Sequence, residues 1–221
     1  EDRRTMISFR EVFLDLEAGH ELSGQTCENV FEAILQGQWT SVQIGAFIVT
    51  LRMKGESVEI FTSAARAVRA AMIPVEHGLP RVLDTAGTGG DAQGTLNLST
   101  GAAIIVAAAG IPVAKHGNRA ASSTCGSADL LEGLGVKIDL PPDQVQACIE
   151  TVGFGFMFAP RFHGAMKYAA PVRKELGIRT IFNLLGPLTN PAGAPRQLLG
   201  VFSQDWVVFI AEVLKALGSE E

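Results

Sequence analysis

The stretch Asp84-Thr-Ala-Gly-Thr-Gly-Gly-Asp91 is the first place where residue types and spacing suggest chemistry. Consecutive glycines let backbone amides turn toward an anion, and a helix start just beyond adds its partial positive charge. That is a way of holding phosphate. A tight strand-to-helix turn with no ligand is the competing account, and the loop alone leaves both open. Two nucleotide motifs are excluded. No Gly-Lys-Ser/Thr occurs, so there is no Walker A loop. A dinucleotide fingerprint drawn through Gly87, Gly89 and Ala92 needs an acidic residue at the end of the next strand, where Lys115-His116 stand instead.

Further donors follow. Asn97-Leu-Ser-Thr100 opens a run of small residues, where its amide and hydroxyls either cap a helix or hold phosphate and metal. Lys115-His-Gly-Asn-Arg-Ala-Ala-Ser-Ser123 gathers two cations, an imidazole, an amide and paired hydroxyls at the expected end of a strand. Gly126-Ser-Ala-Asp-Leu-Leu-Glu132 starts another helix with its first amides unengaged. Three such turns at successive strand ends of an open α/β sheet converge where ligands bind in that architecture, and they point to a multiply phosphorylated ligand.

The elements that must position these turns are legible from periodicity. Residues 1–75 read as a helical domain. A first helix runs from a Ser8–Glu11 capping box to about Ala18, and a second follows Thr26 and stops at Gly37. A third starts near Thr40 with Ile44, Phe47, Ile48 and Leu51 on one face, and a fourth runs from Ser57 to before Pro74. Residues 76–221 read as an α/β domain with a mainly parallel sheet. Strands are expected at Arg81–Asp84, Pro112–Lys115, Val136–Asp139, Phe154–Phe158 and Leu198–Phe202. Helices are expected over Ser99–Ala109, after Pro141-Pro142, and over Asp205–Leu217, with two short ones among the prolines between Arg161 and Pro195.

Composition sets bounds on function. A 221-residue chain that is 47% hydrophobic buries a real core, and a net charge of −5 offers no global field for nucleic acid. Three cysteines, none in CxxC spacing, suggest neither a disulfide framework nor a zinc site and suit a reducing cytoplasm. The longest apolar run, Ala102 to Ala109, is far short of the about 20 residues a spanning helix needs, so no membrane is expected.

Taken in order and spacing, GTGGD at Gly87–Asp91, NxST at Asn97–Thr100, KHGNR at Lys115–Arg119 and GSADLLE at Gly126–Glu132 resemble the anthranilate phosphoribosyltransferases. So do Gln43–Phe47, Leu51–Gly55 and the run from Pro171 to Asn190. The resemblance implies transfer of the phosphoribosyl group of phosphoribosyl pyrophosphate (PRPP) to anthranilate in tryptophan biosynthesis, with Mg2+ as cofactor. It implies that Gly87, Gly90, Asp91, Thr95, Asn97, Leu98, Ser99, Thr100, Lys115, His116, Gly117, Asn118, Arg119, Ser122, Ser123 and Ser127 bind PRPP. Ser99 is also a metal ligand by that resemblance. Gly87, Asn118, Arg173, His116 and His163 face anthranilate, with Arg173 on its carboxylate, although without the resemblance Arg173 reads as a surface ion-pair partner. A homodimer made through the helical domain, a hinge over 161–190 and a cytoplasmic location are implied too.

Two departures stand out. His163-Gly164 replaces the family's usual His-Pro. The adjacent Asp-Glu pair that completes the family's metal site is expected beyond residue 221, so the C-terminal part of the α/β domain is expected to be missing. A pyrimidine nucleoside phosphorylase, which shares the fold and the Lys-His loop, and a non-catalytic PRPP-binding paralogue are the alternatives.

Overall fold

A computed structural model describes residues 7–89, 96–120 and 124–220. The helical elements begin with α1 (Phe9–Glu17), α2 (Gly24–Leu35), α3 (Ser41–Lys54) and α4 (Val58–Ala71). There follow β1 (Leu83–Gly87), α5 (Leu98–Ala108), β2 (Val113–Gly117), α6 (Ser127–Gly133), α7 (Pro142–Val152) and β3 (Phe154–Phe158). A short α8 (Ala159–Phe162), a 3-10 turn (Gly164–Tyr168), α9 (Ala170–Leu176), α10 (Ile181–Leu188), β4 (Arg196–Gly200) and α11 (Asp205–Ala216) complete the order. The chain divides into two compact units, Glu1–Ala71 with Ala165–Leu185 and Met72–Gly164 with Gly186–Glu221.

Local chemistry sets most helix starts in the first unit. Thr40 Oγ1 accepts from the Gln43 amide at 3.3 Å while the Gln43 side-chain oxygen accepts from the Thr40 amide at 2.9 Å, a reciprocal cap on α3. Ser57 Oγ accepts from the Ile60 amide at 3.3 Å at the head of α4. The second helix starts earlier than expected, because Ser23 rather than Thr26 is the cap and Glu59 Oε1 takes the Gly24 amide at 2.7 Å. Ser8 does precede α1, yet its side chain makes no capping bond. Aromatic packing fixes that end instead, with the Phe9 ring 5.8 Å from Phe13 and edge-on to Trp39 at 5.3 Å. Fully buried Phe31, Phe47 and Phe61 centre this unit, with the Phe182 ring of α10 tilted against Phe31 at 5.4 Å. Truncating such a ring costs about 3–5 kcal/mol.

The second unit is built on a four-stranded, wholly parallel sheet in the order β3-β2-β1-β4. Leu83 lies opposite Val113, so β1 and β2 end at one edge with Gly87 and Gly117. Gly87 also lies opposite Gly200 and Gly117 opposite Phe158. Helix α5 packs on β1 and β2, and α7 packs on β3. The expected fold class, helices followed by a parallel α/β layer, is the one observed.

One expected strand is absent. Val136–Asp139 forms no ladder, since the Val136 amide closes α6 by donating to the Leu131 carbonyl at 2.9 Å. Ile138 instead plugs a small core of Ala128, Leu131 and Phe156, and Asp139 pairs with Arg161 at 2.8 Å. The turn at Gly126 follows no strand of its own; it shares the β2–α6 connection with the Lys115–Arg119 loop. Among the described residues no helix is long and apolar enough to cross a membrane.

Candidate functional site

Lys115 is 1% exposed, where an exposed loop cation would be solvated. Its ammonium donates to the Thr85 carbonyl, to Thr85 Oγ1 at 3.4 Å and to Ser99 Oγ at 3.3 Å, one acceptor for each proton. Thr85 Oγ1 in turn donates to the Ser99 carbonyl at 2.8 Å. The lysine thus ties β1 and β2 to the first turn of α5. Burial pushes its pKa down to about 8, against the pull of the Asp84 carboxylate.

Asn97 stands at the head of α5 but does not cap it. Its amide points to the turn before α6, 3.4 Å from Cys125 Sγ and 3.5 Å from the Gly126 carbonyl. The capping account of Asn97 is therefore replaced by a bridge between two donor-rich turns. Leu98 leaves its side chain 68% exposed, and its amide goes to the Leu96 carbonyl. Thr100 is buried with its hydroxyl lacking a partner among the described residues.

Close backbone approach holds the β2–α6 connection. A Cβ on Gly126 would sit 2.4 Å from the Ala120 amide nitrogen and 2.7 Å from the Asn118 carbonyl oxygen, and one on Gly117 would sit 2.2 Å from Ser127 Oγ. The Asn118 carbonyl accepts from the Ala128 amide at 3.2 Å and from the Ser127 hydroxyl at 3.3 Å. Asp129 Oδ2 accepts from the amides of both Ala120 and Gly126 at 2.9 Å, clasping the two arms, and those bonds hold its carboxyl below the usual range. Arg119 is already engaged. Its guanidinium forks onto Glu132 at 2.7 and 3.1 Å, touches Asp129 at 3.1 Å and lies 5.6 Å from the Phe158 ring centroid.

Two imidazoles, one of them next to Lys115 in sequence, pack together. The rings of His116 and His163 have centroids 4.9 Å apart. His116 Nδ1 donates to the Gly186 carbonyl at 3.2 Å, and His163 makes a backbone bond at Thr189; both Nε2 atoms are buried without a partner among the described residues. Burial first, and then the neighbouring imidazole, pushes His116 down to about 3, while burial pushes His163 down to about 4. Folded values below the ordinary 6.5 mean that the unfolded chain binds more protons between. Stability should hence be full above pH 6.5 and fall as pH drops toward 4. A melting-temperature series over that window checks this, and His116→Gln with His163→Gln should flatten it.

Arg173 belongs to the helical unit. Its guanidinium carbon lies 5.7 Å from the Phe182 ring centroid, Nε is buried without a partner among the described residues, and burial lowers its pKa. That is unlike the surface ion pair that its neighbours alone suggest. Of the other expected site residues, Gly90, Asp91, Thr95, Ser122 and Ser123 lie outside the described residues.

Sequence reasoning missed Asp84, Asn190 and Gln197. Asp84 is fully buried on β1, accepting from the His116 amide at 3.4 Å and from Gln197 Nε2 at 3.0 Å, with a further side-chain bond from Asn190. Burial raises its pKa and these donors oppose the rise. An acid directly after Val82-Leu83 in a strand was the available signal, since a buried charge needs partners.

Two family models cover the chain: a glycosyl transferase family helical bundle domain over residues 11–72 and a glycosyl transferase family a/b domain over residues 79–221. An anthranilate phosphoribosyltransferase of Moorella thermoacetica is 56% identical over 202 residues, 91% of this chain and 60% of its own length. Among solved structures, that of the Thermus thermophilus anthranilate phosphoribosyltransferase matches with a TM-score of 0.89 at 50% identity, covering 93% of this chain and 63% of that one. The Saccharomyces cerevisiae anthranilate phosphoribosyltransferase in complex with PRPP and Mg matches with a TM-score of 0.88 at 31% identity, covering 96% and 63%. The chain spans about 60% of the length of the curated relatives it matches. With a helical-bundle match over residues 11–72 followed by an a/b-domain match over residues 79–221, this chain belongs to the glycosyl transferase family that those two domains define.

Proposed function

We propose that the protein transfers the phosphoribosyl group of PRPP to anthranilate, giving N-(5-phosphoribosyl)anthranilate and pyrophosphate. The observation that carries this is the meeting of donor-rich turns at one end of β1 and β2, tied together by Lys115 and Asn97. The named relatives support the choice of substrates. Gly87, Gly90, Asp91, Thr95, Asn97 to Thr100, Lys115 to Arg119, Ser122, Ser123 and Ser127 are the residues assigned to PRPP. Arg119 acts there through its bonds to Asp129 and Glu132, which shape the loop. Loss of anthranilate fluorescence on adding PRPP and Mg2+ to the intact protein tests the reading. Phosphorolysis of thymidine or uridine instead would favour the phosphorylase.

Departure of pyrophosphate leaves C1 of the ribose with oxocarbenium character, and charge gathers on the leaving group. Amides of Gly87 to Gly89 and the fixed charge of Lys115 would meet that development at little cost in reorganisation. Lys115 does so at one remove, because its protons are taken by Thr85 and Ser99. Mg2+, when bound, would neutralise diphosphate charge. Ser99 offers it one hard oxygen, which suits an ion that takes few protein ligands beside phosphate oxygens, and among the described residues no cluster of three His, Cys, Asp or Glu side chains stands ready to hold it.

Anthranilate enters as an aromatic amine that is already nucleophilic when neutral, so orientation outweighs a strong base. Arg173, Asn118 and Gly87 are assigned to that orientation, with bare Nε2 atoms of His116 and His163 as neutral acceptors. Arg173→Ala should raise the KM for anthranilate by roughly 10–100-fold and change that for PRPP by less than about threefold. Steady-state kinetics with each substrate varied in turn checks this; a selective PRPP defect contradicts the role. The reading extends to a cytoplasmic homodimer formed through the helical unit, where exposed Leu14, Val42 and Met53 give apolar surface on α1 and α3.

A further inference from the structure

The buried Asp84 lies on a strand, yet its partners reach well beyond the sheet. Gln197 Nε2 has two protons, and it places one on Asp84 Oδ2 at 3.0 Å and the other on the Pro187 carbonyl at 2.6 Å. Asn190 Nδ2 divides itself likewise between Asp84 and the Ala114 carbonyl, the latter at 2.8 Å, while Asn190 Oδ1 accepts from the Ala192 amide at 2.8 Å. Every group aimed at Asp84 is a donor, as an ionised carboxylate requires. The segment Gly186–Ala192 is thereby fastened to β1, β2 and β4 through one charge. From this same segment come the two carbonyls that hold the histidines, Gly186 on His116 and Thr189 on His163.

We infer that Asp84, with Gln197 and Asn190, is a positioning device for both imidazoles: by holding the Gly186–Thr189 carbonyls it keeps His116 and His163 as Nδ1–H tautomers with bare Nε2 atoms. A carbonyl accepts and never donates, so whichever ring nitrogen it meets must carry the proton. The network thus sets which ring nitrogens carry protons and which stay bare, without touching a ligand itself. What it positions for is the aromatic amine, and that part rests on the proposed function.

Nitrogen-15 NMR of the intact protein reads the tautomers directly. His116 and His163 should both appear as Nδ1–H, while His77, whose Nε2 donates to the Ala192 carbonyl at 3.0 Å, should appear in the same spectrum as Nε2–H. Gln197→Met removes both bridging donors and keeps the side-chain volume. It should mix the tautomers of at least one of the two rings and raise the KM for anthranilate about tenfold, with that for PRPP within about twofold. Nε2–H rings in the native protein, or tautomers unmoved in Gln197→Met, overturn the inference. The native spectrum serves even if the variant does not fold. Shifted tautomers in a protein that makes no phosphoribosylanthranilate would leave the device standing and sink the proposed function instead.

Discussion

Gly126→Ala is expected to raise the KM for PRPP by on the order of 100-fold while leaving the secondary structure intact. The added carbon would lie 2.4 Å from the Ala120 nitrogen, 2.6 Å from the Arg119 carbonyl carbon and 2.7 Å from the Asn118 oxygen. All three are backbone atoms, which cannot swing aside as a side-chain tip does, so the two arms of the β2–α6 connection must part. Parting them breaks the clasp of Asp129 on Ala120 and Gly126 and draws the Gly126 carbonyl from Asn97. A shift near 1 Å in groups that orient a substrate is enough for an effect of this size. Kinetics alongside circular dichroism checks it; an unchanged KM would show that the spacing of these turns is immaterial to binding.

The second large effect is on stability. Asp84→Ala should cost about 3–5 kcal/mol, because it strands the buried Lys115 charge without its counter-ion and leaves the Gln197 and Asn190 donors and the His116 amide short of an acceptor. Asp84→Asn keeps the volume but turns a donor toward donors, so it should still lose a large part of that stability. Urea unfolding of each variant measures the loss. A change below about 1 kcal/mol in both would mean that water replaces the carboxylate and the network is not closed.

The fold was legible wherever a local rule and packing agreed. Thr40 with Gln43 sets the start of α3 on its own, and Phe154–Phe158 forms a strand at the expected residues. Where the ladder decides, local pattern falls short. β1 runs on through Thr85-Ala-Gly87 because β4 offers it partners out to Gly200, and Val136–Asp139 is β-like in composition but pairs with no strand among the described residues. The site was legible in the same uneven way. Glycine, lysine and hydroxyl residues suggest an anion through their chemistry and spacing, and the described ones among them meet at one end of β1 and β2. The burial of Lys115, the engagement of Arg119 with Glu132 and the reach of Asp84 to Gln197 depend on contacts between residues up to 113 apart in sequence, which no local window contains.

Hydrogen–deuterium exchange on the intact protein, with and without PRPP and Mg2+, tests most directly whether these turns form one site. Amides at Gly87–Thr88, Asn97–Thr100, Gly117–Arg119 and Gly126–Ala128 should be protected together, with one shared dependence on ligand concentration. Protection confined to a single turn, or absent from all of them, would contradict it.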